Sequence, residues 1–301
     1  MSATIQRGRN PRGPVRPGRG QDGRTPRGRG ERGTGASLAL HATLIAASAV
    51  AVFPVLWIVF ISLGPDSAWQ QPGQVIHHLG LDNYRFVLLH SGFPHWMLNS
   101  VIVAGATMLL GVFIAASAGY AISRMKFPGH RQLMWIFLVT QMFPVAVLIV
   151  PLYNLMARLD LLDSYLGLVL VYCTIAVPFC AWMLKGYFDT IPREIDEAGR
   201  MDGLSPFGTF WRLILPLARP GLAVTAFYSF LTAWGEVAYS SQFMKTHYTL
   251  AAGLPTYASS IRANWGAMTA GSVLIAIPAA VVFLLVQRHL VTGLTAGGTK
   301  G

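Results

Sequence analysis

Charge is scarce in this sequence of 301 residues: Asp, Glu, Lys and Arg make up 12% of it, about half the share of an ordinary globular chain. Acidic residues number twelve and cysteines only two. So few cysteines exclude a disulfide scaffold. The 53% of hydrophobic residues excludes a chain disordered throughout and a collagen-like repeat. Cys173 and Cys180 lie in one apolar run, seven residues apart, and therefore share a helix face. That placing suits packing residues better than a disulfide or a metal pair. What is left is a chain too apolar for a water-soluble domain. Six spans of ~20 residues would use about 120 residues and leave enough for loops and tails.

The net charge of +11 is unevenly placed. Residues 1–35 hold nine arginines against Asp22 and Glu31, a net of +7. This Arg-, Gly- and Pro-rich segment buries too little apolar surface to offset its ordering entropy and is expected to be disordered. Such a tail can bind nucleic acid, or hold its end of a membrane protein in the cytoplasm against anionic lipid. The long apolar run from Ala36 favours the second, and it is too long for a secretory signal.

Windows of ~19 residues predict spans over Ser37–Leu63, Met97–Ser123, Leu133–Tyr153, Tyr165–Tyr187, Ala218–Phe243 and Ala267–Gln287. Pro54, Pro144, Pro178 and Pro278 fall inside spans, as kinks that a packed helical bundle tolerates. With the N-terminus inside, inner loops carry ten Lys or Arg after the tail and outer segments four, which sets both termini in the cytoplasm. The expectation is an all-α integral membrane protein of six transmembrane helices. Its parts are a cytoplasmic tail over 1–35, a six-helix transmembrane domain over 36–290 and a second cytoplasmic tail over 291–301. Residues 81–89 in the first outer segment have helix start signals and a partly apolar face.

One inner segment, 190–217, is long for a connection and holds Glu194, Asp196, Glu197 and Asp202, four of the twelve acidic residues. Pro192 suits the first position of a helix whose opening turns then carry Glu194, Asp196 and Glu197 against the dipole. Gly203 ends it, and Ser205-Pro206 starts a second helix with Ser205 as N-cap. Phe207, Phe210, Trp211 and Ile214 recur at helical spacing and are expected to pack beneath the first helix. Leu215-Pro216 and Arg219-Pro220 turn the chain into the fifth span. On composition alone this is either an interfacial hairpin or a docking element for a partner.

Glu197-Ala198-Gly199, three residues, Gly203, nine residues and Leu213-x-Leu215-Pro216 resemble the EAA loop of importer permeases of the ATP-binding-cassette (ABC) class. In that family the pattern is Glu-Ala-Ala, three residues, Gly, nine residues, Ile-x-Leu-Pro; here Gly199 replaces the second Ala and Leu213 the Ile. Asn83-Tyr84-Arg85-Phe86, Asn99-Ser100, Arg124-Met125-Lys126-Phe127-Pro128-Gly129 and the Gly- and Thr-rich stretch 293–301 are similar to the carbohydrate branch. They are closest to the MalG type of maltose and maltodextrin importers as found in high-GC Gram-positive bacteria. The resemblance covers nearly everything after residue 36. It implies the type I importer permease fold, a sibling permease subunit, two copies of an ATPase that holds the ATP-Mg, an extracellular sugar-binding protein, a plasma-membrane location, and no cofactor, metal or nucleic acid on this chain.

The resemblance also assigns roles. Glu194, Glu197, Ala198, Gly199, Asp202, Gly203, Leu215 and Pro216 are expected to couple to the ATPase, with Gly297, Gly298 and Lys300 as a second contact. Gly293 and Gly298 have phosphate-loop spacing, but Thr299-Lys300 reverses the required order, so ATP hydrolysis is expected elsewhere. Trp234, Gly235 and Glu236 are candidates for the translocation path, because an ionisable residue at membrane depth usually faces a cavity; helix-to-helix hydrogen bonding is the competing role. Relatives commonly have Asn at the Gly235 position. Gly253, Pro255 and Tyr257, with Ser259 and Asn264, are candidates for an outer loop reaching the binding protein. An embedded enzyme is disfavoured: His77, His78, His90 and His95 form no metal or triad motif. A lone transporter is disfavoured because the spans carry almost no ionisable residues.

Overall fold

The computed structural model describes residues 34–258 and 263–297, so most of the arginine-rich tail lies outside the described residues. These divide after Phe53 into two compact units. The first holds the opening of helix α1 (Thr34–Ser62), and the second begins at Pro54, inside the same helix.

In the second unit the long helices are α4 (Phe93–Arg124), α7 (Tyr165–Asp189) and α14 (Trp265–Gly297), with the shorter α11 (Arg219–Trp234) among them. Short helices α2 (Gln74–His77) and α3 (Asp82–Leu89) lead into α4, α3 lying over the stretch the sequence marks as helical. The fold is built on α4 against α7, where small residues let the backbones close: a Cβ on Gly119 would stand 3.0 Å from the Ala181 carbonyl oxygen. Small-residue contacts of this kind are the usual basis of helix association in lipid. Among the described residues there are no β-strands beyond an isolated bridge between Ala258 and Ala263.

Four helices are long and apolar enough to cross a membrane, over Ser37–Ser62, Phe93–Arg124, Tyr165–Asp189 and Trp265–His289. Each lies within a few residues of a predicted span. The other two predicted spans are not single helices. The third divides into α5 (His130–Thr140) and α6 (Val145–Arg158), bent by 107°. The break ends at Pro144, which sits extended as the cap of α6, in keeping with the tendency of a proline to disfavour helical backbone in the residue before it. Pro54, Pro178 and Pro278, with helical chain on both sides, stay inside unbroken helices. Gln141 at the break donates 3.2 Å to the Ile175 carbonyl of α7, close to Pro178. The fifth predicted span stops at Trp234, and the chain resumes helix as α12 (Ala238–Phe243). At the C-terminus, helix continues past the predicted end of the sixth span to Gly297.

Among the described residues two large apolar clusters form the core, with a small third one of Ile61, Ala68 and Val75. One gathers Phe93, Tyr172, Trp234, Tyr239 and Phe243, and the other Tyr120, Leu184, Phe188, Phe210 and Ile214. Cys173 lies in the first and Cys180 in the second, both buried and free, as packing residues should be.

Loops far apart in sequence are tied by side chains that serve backbone groups. Asn83 donates to the carbonyls of Ser62 and Gly64 at 2.9 and 2.8 Å. Asn99 donates to the Tyr248 carbonyl at 2.8 Å while accepting from the Tyr165 hydroxyl. The Asp163 carboxylate gathers the Lys245 and Thr246 N–H groups at 2.9 and 3.0 Å and the Thr246 hydroxyl at 2.6 Å. Burial alone would push the Asp163 carboxyl up, but these donors outweigh it and hold it well below the usual carboxylate range. A depressed value stabilises the fold above the ordinary carboxylate pKa of about 4, and the contribution disappears as pH falls below it. Lowering pH from 7 to 3 should therefore cost the native protein more of its thermal unfolding midpoint in detergent than it costs Asp163→Asn. Equal falls in the two proteins would clear Asp163 of this role.

Candidate functional site: the elbow between α7 and α11

After α7 the chain forms α8 (Glu194–Met201), α9 (Pro206–Thr209), a π-helical turn over Phe210–Ile214 and α10 (Leu215–Leu217), then bends by 83° into α11. Helix α8 starts at Glu194, two residues after the predicted first position Pro192, with Arg193 as its cap. Glu194, Asp196 and Glu197 all lie in its first turn, where carboxylates complement the helix dipole. Gly203 has φ +79 and nothing within 4 Å of where a Cβ would stand, so the demand there is on the backbone alone. The Leu204 N–H reaches back to the Gly199 carbonyl at 2.9 Å and closes the end of α8. Ser205 then caps α9, its hydroxyl accepting from the Gly208 N–H at 3.1 Å. The bend, the cap and Pro206 at the helix start all fall where the spacing put them.

The expected packing of the aromatic stripe is only half present. Phe210 and Ile214 are buried in the core, whereas Phe207 and Trp211 are exposed and stacked on each other at 6.2 Å. The π turn begins at Phe210, and the wider turn directs Phe210 and Ile214 to one side and the stacked pair to the other.

Asp196 holds the elbow, a role that counting it as a dipole partner missed. It is 5% exposed and stands 2.9 Å from the Arg124 Nε at the end of α4. Its other oxygen accepts from the Tyr120 hydroxyl at 2.7 Å. Neither the Arg124 Nε nor the Asp196 oxygen that faces it has a directed hydrogen bond, so the attraction is chiefly Coulombic. Arg124 also donates to the Ile191 carbonyl at 2.8 Å, and Arg193 to the Ser123 carbonyl at 3.3 Å. Ser123 donates to Asp189 at 2.6 Å. The ends of α4 and α7 and the start of α8 thus form one polar knot beneath the elbow. The sequence marks only its face: of the three acidic residues in that turn, Asp196 stands on the same helix face as Gly199, and the partner itself is not readable from the segment.

Of the predicted coupling residues, Glu194, Glu197, Ala198, Asp202, Gly203 and Pro216 are exposed on the elbow, Leu215 is half-buried and Gly199 is buried. A Cβ on Gly199 would stand 2.8 Å from Leu213 Cδ1 and 3.0 Å from Thr209 Oγ1. The two positions that depart from the Glu-Ala-Ala…Ile pattern therefore touch each other.

The other predicted sites are differently placed. Trp234 is buried, donating to the Ile275 carbonyl at 3.2 Å and stacking on Phe230. Gly235 is exposed after the end of α11. The Glu236 carboxylate accepts from the N–H groups of Tyr239 and Ser240 and from the Tyr172 hydroxyl. It caps α12 and ties it to α7, which is the helix-to-helix role. Gly253 is buried, and Trp96 fills the space a side chain would need. Tyr257 packs on Trp96 and bonds to Ser91, while Pro255 is exposed. Gly297 ends α14, and Gly298, Lys300 and Ser259 lie outside the described residues. Among the described residues no group of three His, Cys, Asp or Glu is placed to hold a metal ion.

Residues 108–295 match the family described as the binding-protein-dependent transport system inner membrane component. The chain belongs to this family. It is 34% identical over 255 residues to the trehalose transport system permease protein SugB of Mycobacterium tuberculosis, covering 83% of this chain and 93% of that one. To the maltose/maltodextrin transport system permease protein MalG of Escherichia coli it is 35% identical over 282 residues, 87% of this chain and 95% of the other. The fold matches a chain from the crystal structure of a bacterial ABC transporter involved in the import of the acidic polysaccharide alginate. The TM-score is 0.71 at 22% identity, over 84% of this chain and 95% of that one. The chain is thus an ABC-type transport permease and not an enzyme.

Two measurements test how the elbow is built. Removing one member of a buried ion pair strands the other, at a cost of about 3–5 kcal/mol, so Asp196→Asn should lower the unfolding midpoint in detergent sharply. A midpoint within error of the native one would show the Arg124 contact to be idle. Gly199→Ala gains helix propensity of about 1 kcal/mol but meets overpacking of about 1–3 kcal/mol, and should destabilise the native chain. In a Leu213→Val background the same change should cost less, the remainder being its contact with Thr209; strictly additive effects would mean that the two positions do not compensate.

Proposed function

We propose that this chain is the permease subunit of an ATP-driven importer that moves maltose- or maltodextrin-type oligosaccharides across the bacterial plasma membrane. The observation that carries this is the elbow: a bent, capped element with exposed Glu197, Ala198 and Gly203, fastened to the ends of α4 and α7, in a chain of the transport-permease family. Relatives named for maltodextrin and maltose transport support the substrate class. Trehalose is the second reading, supported by the similarity to SugB.

In this reading six spans cross the membrane, with α5–α6 as a bent third one, and both termini are cytoplasmic, as the bias of Lys and Arg demands. The arginine-rich residues 1–35 form a tail, 36–290 the permease domain and 291–301 a second tail. The elbow seats on a separate ATPase, two copies of which bind the ATP-Mg, while this chain binds no cofactor. Closure of the ATPase pair drags the elbow, and the Arg124–Asp196 contact passes the displacement to α4. The exposed Phe207 and Trp211 offer apolar contact beside the charged ones, and Gly297, Gly298 and Lys300 supply a second contact. A sibling permease completes the pathway, with Trp234, Gly235 and Glu236 shaping its wall from behind through packing and capping. An extracellular sugar-binding protein delivers the sugar near Pro255 and Tyr257, on a loop held in place by Gly253. Nucleic acid has no part in it.

The decisive test is Gly203→Val. A β-branched residue in the left-handed region costs about 1–2 kcal/mol and straightens the bend, so uptake of labelled maltose or trehalose should fall at least tenfold while the chain stays in the membrane. Uptake at the native rate would remove the elbow from the mechanism.

A further inference from the structure

A cavity of about 630 Å³ opens beside the polar knot, between the ends of α4 and α7 and the start of α5. Arg124, Lys126, His130, Lys185 and Arg193 line it, with Asp189 as the carboxylate in its wall. Arg124 is taken by Asp196, and Lys185 by Asp189 at 2.6 Å. His130 bonds to the Ile122 carbonyl at 3.1 Å and Arg193 to the Ser123 carbonyl. Lys126 is exposed and has no partner among the described residues, and no carboxylate pairs with Arg193. The wall therefore carries two cations that no carboxylate neutralises, beside two that are already paired.

The place of the cavity narrows what it takes. It lies where two membrane-spanning helices end, at the boundary between water and hydrocarbon. From its rim rises α5, which buries none of its residues and exposes Trp135, Ile136 and Val139. Tryptophan is enriched at that boundary, and basic pockets between membrane helices are the usual receptors for anionic lipid heads. We propose that this cavity binds the phosphodiester head of an anionic phospholipid, with Lys126 and Arg193 holding the phosphate and the acyl chains lying along the apolar face of α5. A soluble phosphate would use the cations and leave that face without an occupant. The inference rests on membrane placement alone and not on the sugar or the ATPase.

The test is native mass spectrometry of the purified full chain, titrated with phosphatidylglycerol or phosphatidylcholine. Phosphatidylglycerol should be retained roughly tenfold better, in line with the attraction of each basic side chain near an anionic surface. Lys126→Gln with Arg193→Gln should erase that preference, whereas Arg131→Gln, an exposed cation outside the cavity wall, should keep it. If the double variant does not fold, Lys126→Gln alone, whose side chain holds nothing else, should cut the preference roughly threefold. Three results would overturn the proposal: an undiminished preference without Lys126 and Arg193, an equal loss in Arg131→Gln, or displacement of phosphatidylglycerol by inorganic phosphate at matching concentration. The readout is retention, so failure here leaves the transport proposal standing.

Discussion

The contact between Arg124 and Asp196 is the constraint on which the elbow depends. Two opposite charges, each with a side chain 7% exposed, sit where α4 ends and α8 begins. Taking such a pair out of water costs several kcal/mol per ion, which mutual attraction offsets only when other groups share the charge. Here they do: the Tyr120 hydroxyl serves the carboxylate and the Ile191 carbonyl serves the guanidinium. The arrangement gives a defined seat more than it gives stability. An apolar pair could hold α8 against α4 with equal energy and with freedom to slide. A charge pair with assigned partners admits one register.

The same logic recurs wherever a helix ends. The last carbonyls and first N–H groups of a helix have no partner within it, and leaving them bare is costly in an apolar setting. Side chains from other elements serve them. Asn83 takes the Ser62 carbonyl of α1, Arg193 the Ser123 carbonyl of α4, and Glu236 the first N–H groups of α12. One of them, Asn83, belongs to the short motifs that resemble carbohydrate permeases. In these cases single polar side chains serve the ends of helices in an otherwise apolar chain.

That division explains what could be read in advance. Four spans were legible because hydrophobicity over ~20 residues is a property of one segment. The bend at Gly203 and the cap at Ser205 were legible because turn and cap chemistry is local. The break at Pro144 looked the same in sequence as the unbroken helices around Pro54, Pro178 and Pro278, since the outcome turns on what neighbouring chain supplies to the freed backbone. The contacts that Asp196, Glu236 and Gly253 make were not legible for a related reason. Their partners Arg124, Tyr172 and Trp96 lie between 64 and 157 residues away, and nothing in a segment announces a contact at that range.

Helix α4 connects these observations. Its 32 residues span about 48 Å at 1.5 Å per residue. At one end the Arg124 knot fastens it to the elbow. At the other, Asn99 and Ser100 bond to the backbone of Tyr248 and Leu250, and Trp96 packs into the space above Gly253. Between them, Gly119 and its alanine neighbours keep α4 so close to α7 that little sideways give is available. Spatial continuity alone does not transmit motion. A stiff helix with side-chain anchors at both ends does, however, restrict what a displacement of the elbow can become. Bending within α4 would break its ladder of hydrogen bonds, and sliding along α7 would drive Gly119 off the Ala181 carbonyl. Tilting of α4 and α7 as one body leaves both sets of contacts intact, so that is the motion this packing favours.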